Sequence, residues 1–198
     1  MDLGLVGPAA GLFAVTNVDD LVILALFFAR AAGRPGSGAW IVAGQYLGFV
    51  AILAVAVAAA FGATLLPPAV LPFLGLLPLA LGLRAAWRAW RERGEAARAE
   101  VTSATGPLAV AAVTFANGGD NIGVYVPVFA TASAGAMFVY VLVFLALVAV
   151  WCAAGRFLAT RPLVATTLAR WGHVVLPVVL IGLGLLILTE AGLNSQRQ

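Results

Sequence analysis

Residues 39–63 read AWIVAGQYLGFVAILAVAVAAAFGA, an unbroken run without one charged side chain, and this run decides the fold class. A helix needs roughly 20 apolar residues to cross a hydrocarbon layer of about 30 Å. The run has that length. It also lacks, from Ala51 to Ala60, the apolar–polar alternation that marks a barrel strand, so a helix rather than a β-barrel is expected. The rest of the chain has the same character: its 198 residues are 63% hydrophobic and 10% charged, too apolar for a soluble domain of this size.

Working outward, further apolar stretches cover Leu3 to Ala29, Ala69 to Leu83 after Pro67 and Pro68, Pro107 to Thr131, Ala136 to Ala154, and Val174 to Thr189. With Ala39 to Ala63 they make six expected transmembrane helices in an all-α integral membrane protein. The first is expected to stay in the mature protein, because Asp2 is the only charge before it and a basic n-region is missing. The chain has no lysine. Its arginines fall almost wholly in alternate connections: Arg30 and Arg34; Arg84, Arg88, Arg91, Arg93 and Arg98; Arg156, Arg161 and Arg170. Positive charge marks the cytoplasmic side, so both termini are expected outside a bacterial cytoplasmic membrane, and the net charge of +3 reflects topology rather than nucleic-acid binding.

Arg84 to Glu100 interleaves Trp87 and Trp90 with charges, which suits a helix on the inner membrane surface among lipid headgroups. Cys152 is alone, which excludes a disulfide or multi-thiolate metal site within one chain, and His173 reads as an interfacial side chain.

Six helices divide into two sets of three, and an odd number turns the second set upside down: two inverted-topology three-helix repeats in one transmembrane domain spanning 1–198. Repeat one is expected at about 1–86, the Arg-rich cytoplasmic connection at about 87–105 and repeat two at about 106–198. The first helix of each set carries an acidic motif, Asn17-Val18-Asp19-Asp20 and Asn117-Gly118-Gly119-Asp120. One register aligns Asn-x-x-Asp with Asn-x-x-Asp. A second, shifted by one, pairs Asp19 with Asp120, Asp20 with Asn121 and Phe28-Ala29 with Phe129-Ala130. Helical spacing puts Thr16, Asn17 and Asp20 on one stripe and Asn117, Asp120 and Asn121 on another, with Asp19 projecting to a neighbouring direction. Gly118, Gly119 and Pro127 weaken the fourth helix, so a break or kink is expected there, with a binding site at the membrane midplane.

An Asp at a helix centre costs about 2.5 to 3.5 kcal/mol on insertion scales, so Asp19, Asp20 and Asp120 together cost on the order of 8 to 10. An interhelical hydrogen bond in lipid returns only about 0.6 kcal/mol. Structural glue is thus a poor reason for three carboxylates with no arginine at their depth. A divalent cation, or protons, would stabilise them.

Thr16-Asn17-Val18-Asp19-Asp20, Gly44-Gln45-Tyr46-Leu47-Gly48-Phe49, Leu74-Gly75-Leu76-Leu77-Pro78-Leu79 with Leu81-Gly82-Leu83, and Asn117-Gly118-Gly119-Asp120-Asn121-Ile122 with Tyr125, Pro127 and Phe129 form a set. Together they resemble the cadmium-resistance (CadD-type) transporter family of bacteria, within the lysine-exporter superfamily. The likeness runs along essentially the whole chain. It implies a small exporter of Cd²⁺, coupled to proton exchange rather than ATP, since no Walker motif is present.

Asp20 and Asp120 are the expected principal metal ligands, assisted by Asn17, Asn117, Asn121 and Asp19, with Thr16 and Gln45 as further oxygen donors; the sequence leaves open whether Tyr46 or Cys152 joins them. No cofactor is expected beyond the transported ion. Oxygen ligands suit Mn²⁺, Ca²⁺ or Mg²⁺ better than a soft metal, although cadmium accepts oxygen coordination in a calcium-sized cavity. Export of another divalent cation (Mn²⁺, Zn²⁺, Ca²⁺), or of a small organic cation or amino acid, is the alternative. An intramembrane enzyme is disfavoured, as the sole histidine stands far along the chain from the acidic motifs. Transporters of this size often pair up, but no residue pattern establishes a homodimer.

Overall fold

The computed structural model describes residues 3–67, 73–74, 76–91, 106–161 and the positions 178, 181–182, 185 and 188–189. After a short 3₁₀ turn, the described residues form seven α-helices: α1 Val6–Thr16, α2 Val18–Arg30, α3 Ser37–Thr64, α4 Leu76–Arg91, α5 Pro107–Asn117, α6 Gly119–Thr131 and α7 Ala134–Leu158. No strand occurs among the described residues. By length and composition α3 and α7 are each long and apolar enough to cross a membrane, and α1 with α2, bent at its break, is either a third, broken span or a re-entrant pair. This is an all-helical, multi-pass membrane protein. The expected sixth span, Val174 to Thr189, lies almost wholly outside the described residues, as do Pro68, the segment 92–105 and His173.

Two expectations about helix ends need correction. The first apolar stretch is not one helix: it breaks at Asn17 and bends by 60°. The cause is local. Thr16 Oγ1 donates back to the Leu12 carbonyl at 3.0 Å, and Asn17 Nδ2 donates to the Phe13 carbonyl at 2.8 Å, so side chains compete with the backbone ladder. Second, α4 continues through Arg84 and Trp87 to Arg91, so the first part of the basic segment extends a helix rather than starting a separate surface one. The break expected in the fourth stretch does occur, at Gly118, whereas Pro127 sits inside an unbroken α6. Adjacent Gly118 and Gly119 both have weak helix propensity, whereas α6 runs on through Pro127 despite the still weaker propensity of proline.

The two broken pairs share one plan. α1 and α5 are 11 residues long, α2 and α6 are 13, and each boundary recurs 101 residues on (107 less 6, 131 less 30). This offset is the second of the two sequence registers. Burial follows it as well: Ala9 and Val110, Phe13 and Thr114, Asp20 and Asn121, and Phe28 and Phe129 are buried pair by pair.

Packing between the halves is reciprocal. α3 lies chiefly on α5 and α6, and α7 on α1 and α2. Glycines permit the close approach: a Cβ at Gly48 would come within 2.7 Å of the Ala111 carbonyl oxygen on α5, and one at Gly155 within 2.7 Å of Leu24 Cβ on α2. Phe27, Arg30, Ala31 and Arg34 line one pocket with Gly106 and Val110, so the end of α2 meets the start of α5 and the two broken pairs run in opposite directions. Gly38 lies beside the Arg156 side chain, which brings the arginines of the α2–α3 connection and of the α7 end to the same end of the bundle. Leu47, Phe61, Phe138 and Phe157 are exposed, while Phe13, Phe49, Phe129 and Phe144 fill the core.

Candidate functional site

Both breaks create a helix N-terminus inside the bundle, and both place acid in its first turn: Asp19 and Asp20 on α2, Asp120 on α6. Unpaired backbone N–H groups there favour anions. Asp120 uses them directly, its Oδ1 accepting from the Asn121 N–H at 3.0 Å. Asp20 is 2% exposed, whereas Asp19, Asn117 and Asp120 are half-buried.

The carboxylates of Asp19 and Asp20 converge on one point. Asn117 Nδ2 donates to Asp19 Oδ2 and to Asp20 Oδ1, each at 2.8 Å, so one amide nitrogen from the second half bridges two acids of the first. Gln45 Nε2 on α3 approaches Asp20 Oδ2 at 3.4 Å. Its other end is held, since Thr114 Oγ1 donates to Gln45 Oε1 at 2.7 Å. Hydrogen bonding to Asp20 among the described residues thus comes from amides, not from a guanidinium. Asp19 and Asp120 both lie within electrostatic range of Asp20.

A second set of contacts joins the motifs on the other side of the break. Asn17 Nδ2 lies 2.9 Å from Thr16 Oγ1 and 2.9 Å from Tyr125 Oη, and Asn17 Oδ1 accepts from Asn121 Nδ2 at 3.1 Å. Thr16 Oγ1 and Tyr125 Oη are 3.0 Å apart. Asn121 Oδ1 is left buried with no hydrogen-bond partner among the described residues. An unmet buried acceptor of this kind costs about 1–3 kcal/mol. The Asn17 backbone carbonyl, which also accepts from the Leu21 N–H at 3.3 Å, accepts from Trp151 Nε1 at 2.7 Å.

All eight sequence-derived candidates therefore lie at or beside the two breaks. Their orientations differ from the expectation that all act as oxygen donors. Gln45 turns its amide nitrogen towards Asp20, and the Thr16 hydroxyl is engaged with Leu12 and Tyr125. Tyr46 leaves the cluster to bond the Leu145 carbonyl at 3.0 Å. Thr114, Tyr125 and Trp151 were not among the sequence-derived site residues; each reaches the cluster across more than 60 positions of chain. Among the described residues no three His, Cys, Asp or Glu side chains stand together as a metal-holding group, so any ion here would rely on carboxylate and amide oxygens together.

A family model described as cadmium resistance transporter matches residues 13–196. The chain belongs to this family. No curated protein and no solved structure matches it. Membership of the cadmium resistance transporter family implies cadmium efflux, makes Cd²⁺ the implied transported substrate and defines the protein as a transporter rather than an enzyme. The matched span contains both helix breaks, the end of α1 and all of α2, α5 and α6, and every residue of the polar cluster. For this family member the resemblance seen in the Asn-Val-Asp-Asp and Asn-Gly-Gly-Asp stretches is upheld over nearly the full chain.

Proposed function

We propose that the protein exports Cd²⁺ from the cytoplasm through the cluster between its two helix breaks, with Asp20 and Asp19 as the principal ligands and Asn117, Asn121, Asn17 and Asp120 completing an oxygen-rich path. The observation that carries the reading is the Asn117 amide, whose nitrogen bridges Asp19 and Asp20 at 2.8 Å each. Two carboxylate oxygens aimed at one partially positive group form a place that a divalent cation can take over. Asn117 then turns its own oxygen to the ion. Gln45 and Thr16 act as orienting groups in this scheme, through the contacts that Thr114 and Tyr125 make with them.

The architecture behind this site is six transmembrane helices in two inverted repeats, with arginines inside and both termini outside. Equal helix lengths at a constant offset, reciprocal packing and the opposed directions of the broken pairs support it. Arginines from two connections meeting at one end support the orientation. Protons are the proposed counter-ion, because acids that release a cation within a low-dielectric bundle are stabilised by protonation.

Cadmium uptake into inside-out vesicles tests the reading, with wild type beside Asp20→Asn and Asp120→Asn and with zinc, manganese and calcium as competitors. Loss of uptake in correctly inserted Asp20→Asn is expected; undiminished uptake would remove the site. Luminal pH should change in step with cadmium flux, and metal movement with no pH change would remove proton exchange.

A further inference from the structure

Asn17 and Asn121 meet between the halves, and hydrogen-bond chemistry decides which way each amide faces. Asn17 Nδ2 stands within 2.9 Å of three oxygens: the Phe13 carbonyl, Thr16 Oγ1 and Tyr125 Oη. The carbonyl can only accept, so turning the amide over would set oxygen against oxygen. With the Thr16 hydroxyl donating to Leu12, the Tyr125 hydroxyl donates to Thr16 Oγ1 and accepts from Asn17. Asn17 Oδ1 is thereby turned to Asn121 Nδ2, and the Asn121 amide in turn has its nitrogen committed and its oxygen, at 1% exposure, without a partner among the described residues. A buried oxygen with no donor is one that a cation would satisfy.

We propose that Tyr125 is a positioning residue for ion binding, aligning Asn17 so that Asn17 holds Asn121 with its side-chain oxygen presented to the permeating cation. Tyr125 is well built for this. Its ring is fixed by Phe129 and Phe144, with centroids 5.9 and 4.8 Å away, and its hydroxyl has two partners, Thr16 and Asn17. Asn121 follows Asp120 directly on α6, and Asn17 precedes Asp20 by three residues, so the aligned oxygen belongs to the same crossing as the acids. The inference rests on the proposed passage of cadmium through this cluster.

The test is initial cadmium uptake into proteoliposomes over a range of cadmium concentrations, for Tyr125→Phe, Asn121→Leu, the double variant and Asp20→Asn. Tyr125→Phe keeps the ring and should raise KM about 3- to 10-fold, the worth of one neutral hydrogen bond, with Vmax within about twofold. Asn121→Leu should raise KM at least as far, and adding Tyr125→Phe to it should change nothing more, because both act through one oxygen. Where Asn121→Leu fails to insert, Asn121→Ala takes its place; where flux is too low to fit, calorimetric cadmium binding to the purified proteins reads the same cycle. An unchanged KM in Tyr125→Phe overturns the proposal. So does a further rise in the double variant, which would make Tyr125 a packing residue. Loss of flux in Asp20→Asn beside a wild-type KM in Tyr125→Phe removes this inference alone, whereas full flux in Asp20→Asn removes the site on which it rests.

Discussion

The break in α1–α2 falls on Asn17 and delivers two carboxylates, Asp19 and Asp20, to the turn beyond it, whereas the break in α5–α6 falls on Gly118 and delivers one carboxylate and one amide, Asp120 and Asn121. Their backbones match in length and offset, yet among the described residues the one fully buried acid is Asp20, in the first half. Helix N-terminal dipoles return about 0.3–1 kcal/mol per acid and up to about 2 when partly buried, less than the roughly 2.5–3.5 each acid costs at mid-membrane. The shortfall is largest where two acids share one turn. A pseudo-symmetric scaffold thus carries its acids asymmetrically, and in the proposed transport path the first half is where a cation would contribute most.

The sharpest way to break that comparison is to move the charge. Asp20→Asn should reduce cadmium uptake by more than about 100-fold, since even outer partners of a metal ligand are worth 10–100-fold. If the halves were equivalent, the swap Asp20→Asn with Asn121→Asp would restore uptake. We expect no recovery: a carboxylate at 121 would face Asn17 Oδ1, which is held as an acceptor by the groups around Asn17 Nδ2. Vesicle uptake decides, and recovery to near wild-type rates would show that the asymmetry is incidental.

The acids were legible in the sequence because charge stands out in an apolar run, and Gly118-Gly119 announced its break through helix propensity. The break at Asn17 was not, since Thr16-Asn17-Val18 contains no glycine or proline and bends the chain only through side-chain bonds to Leu12 and Phe13. Helix rotation was equally hidden: α3 is apolar along most of its length, so hydrophobicity alone does not say that Gln45 and Phe49 face inward while Leu47 is exposed. Thr114, three residues before Asn117, and Tyr125, four after Asn121, were open to the same helical-spacing argument as the motif, whereas Trp151 enters from α7 by tertiary packing, which no local pattern encodes. The arginines of α4 suggested a change of element, but a helix carries charge readily where its side chains reach the interface.

A middle-sized effect should separate the two breaks by packing. A Cβ at Gly118 would overlap Ile52, a fully buried residue of α3, while one at Gly119 meets nothing within 4 Å. Gly118→Ala should therefore destabilise the protein by about 1–3 kcal/mol, and Gly119→Ala should be neutral or stabilise it by up to about 1 kcal/mol. Thermal unfolding in detergent measures both. Equal, negligible shifts would mean that the second break is set by backbone propensity alone and not by its seat on α3.

The smallest effect probes the first break from α7. Trp151→Phe removes the indole N–H that meets the Asn17 carbonyl at 2.7 Å, while a ring is kept against Phe13, whose centroid lies 5.1 Å from that of Trp151. The carbonyl still accepts from the Leu21 N–H at 3.3 Å, so it is weakened rather than orphaned, and the cost should be about 0.5–1.5 kcal/mol in the same unfolding assay. Gly118 has only the corresponding backbone contact, its carbonyl accepting from Ile122 at 3.1 Å among the described residues, so the variant should leave the second break untouched. A Trp151→Phe penalty larger than that of Gly118→Ala would reverse the order. It would mean that α7 clamps the first break from outside and that the bonds of Thr16 and Asn17 to their own helix follow from the bend instead of causing it.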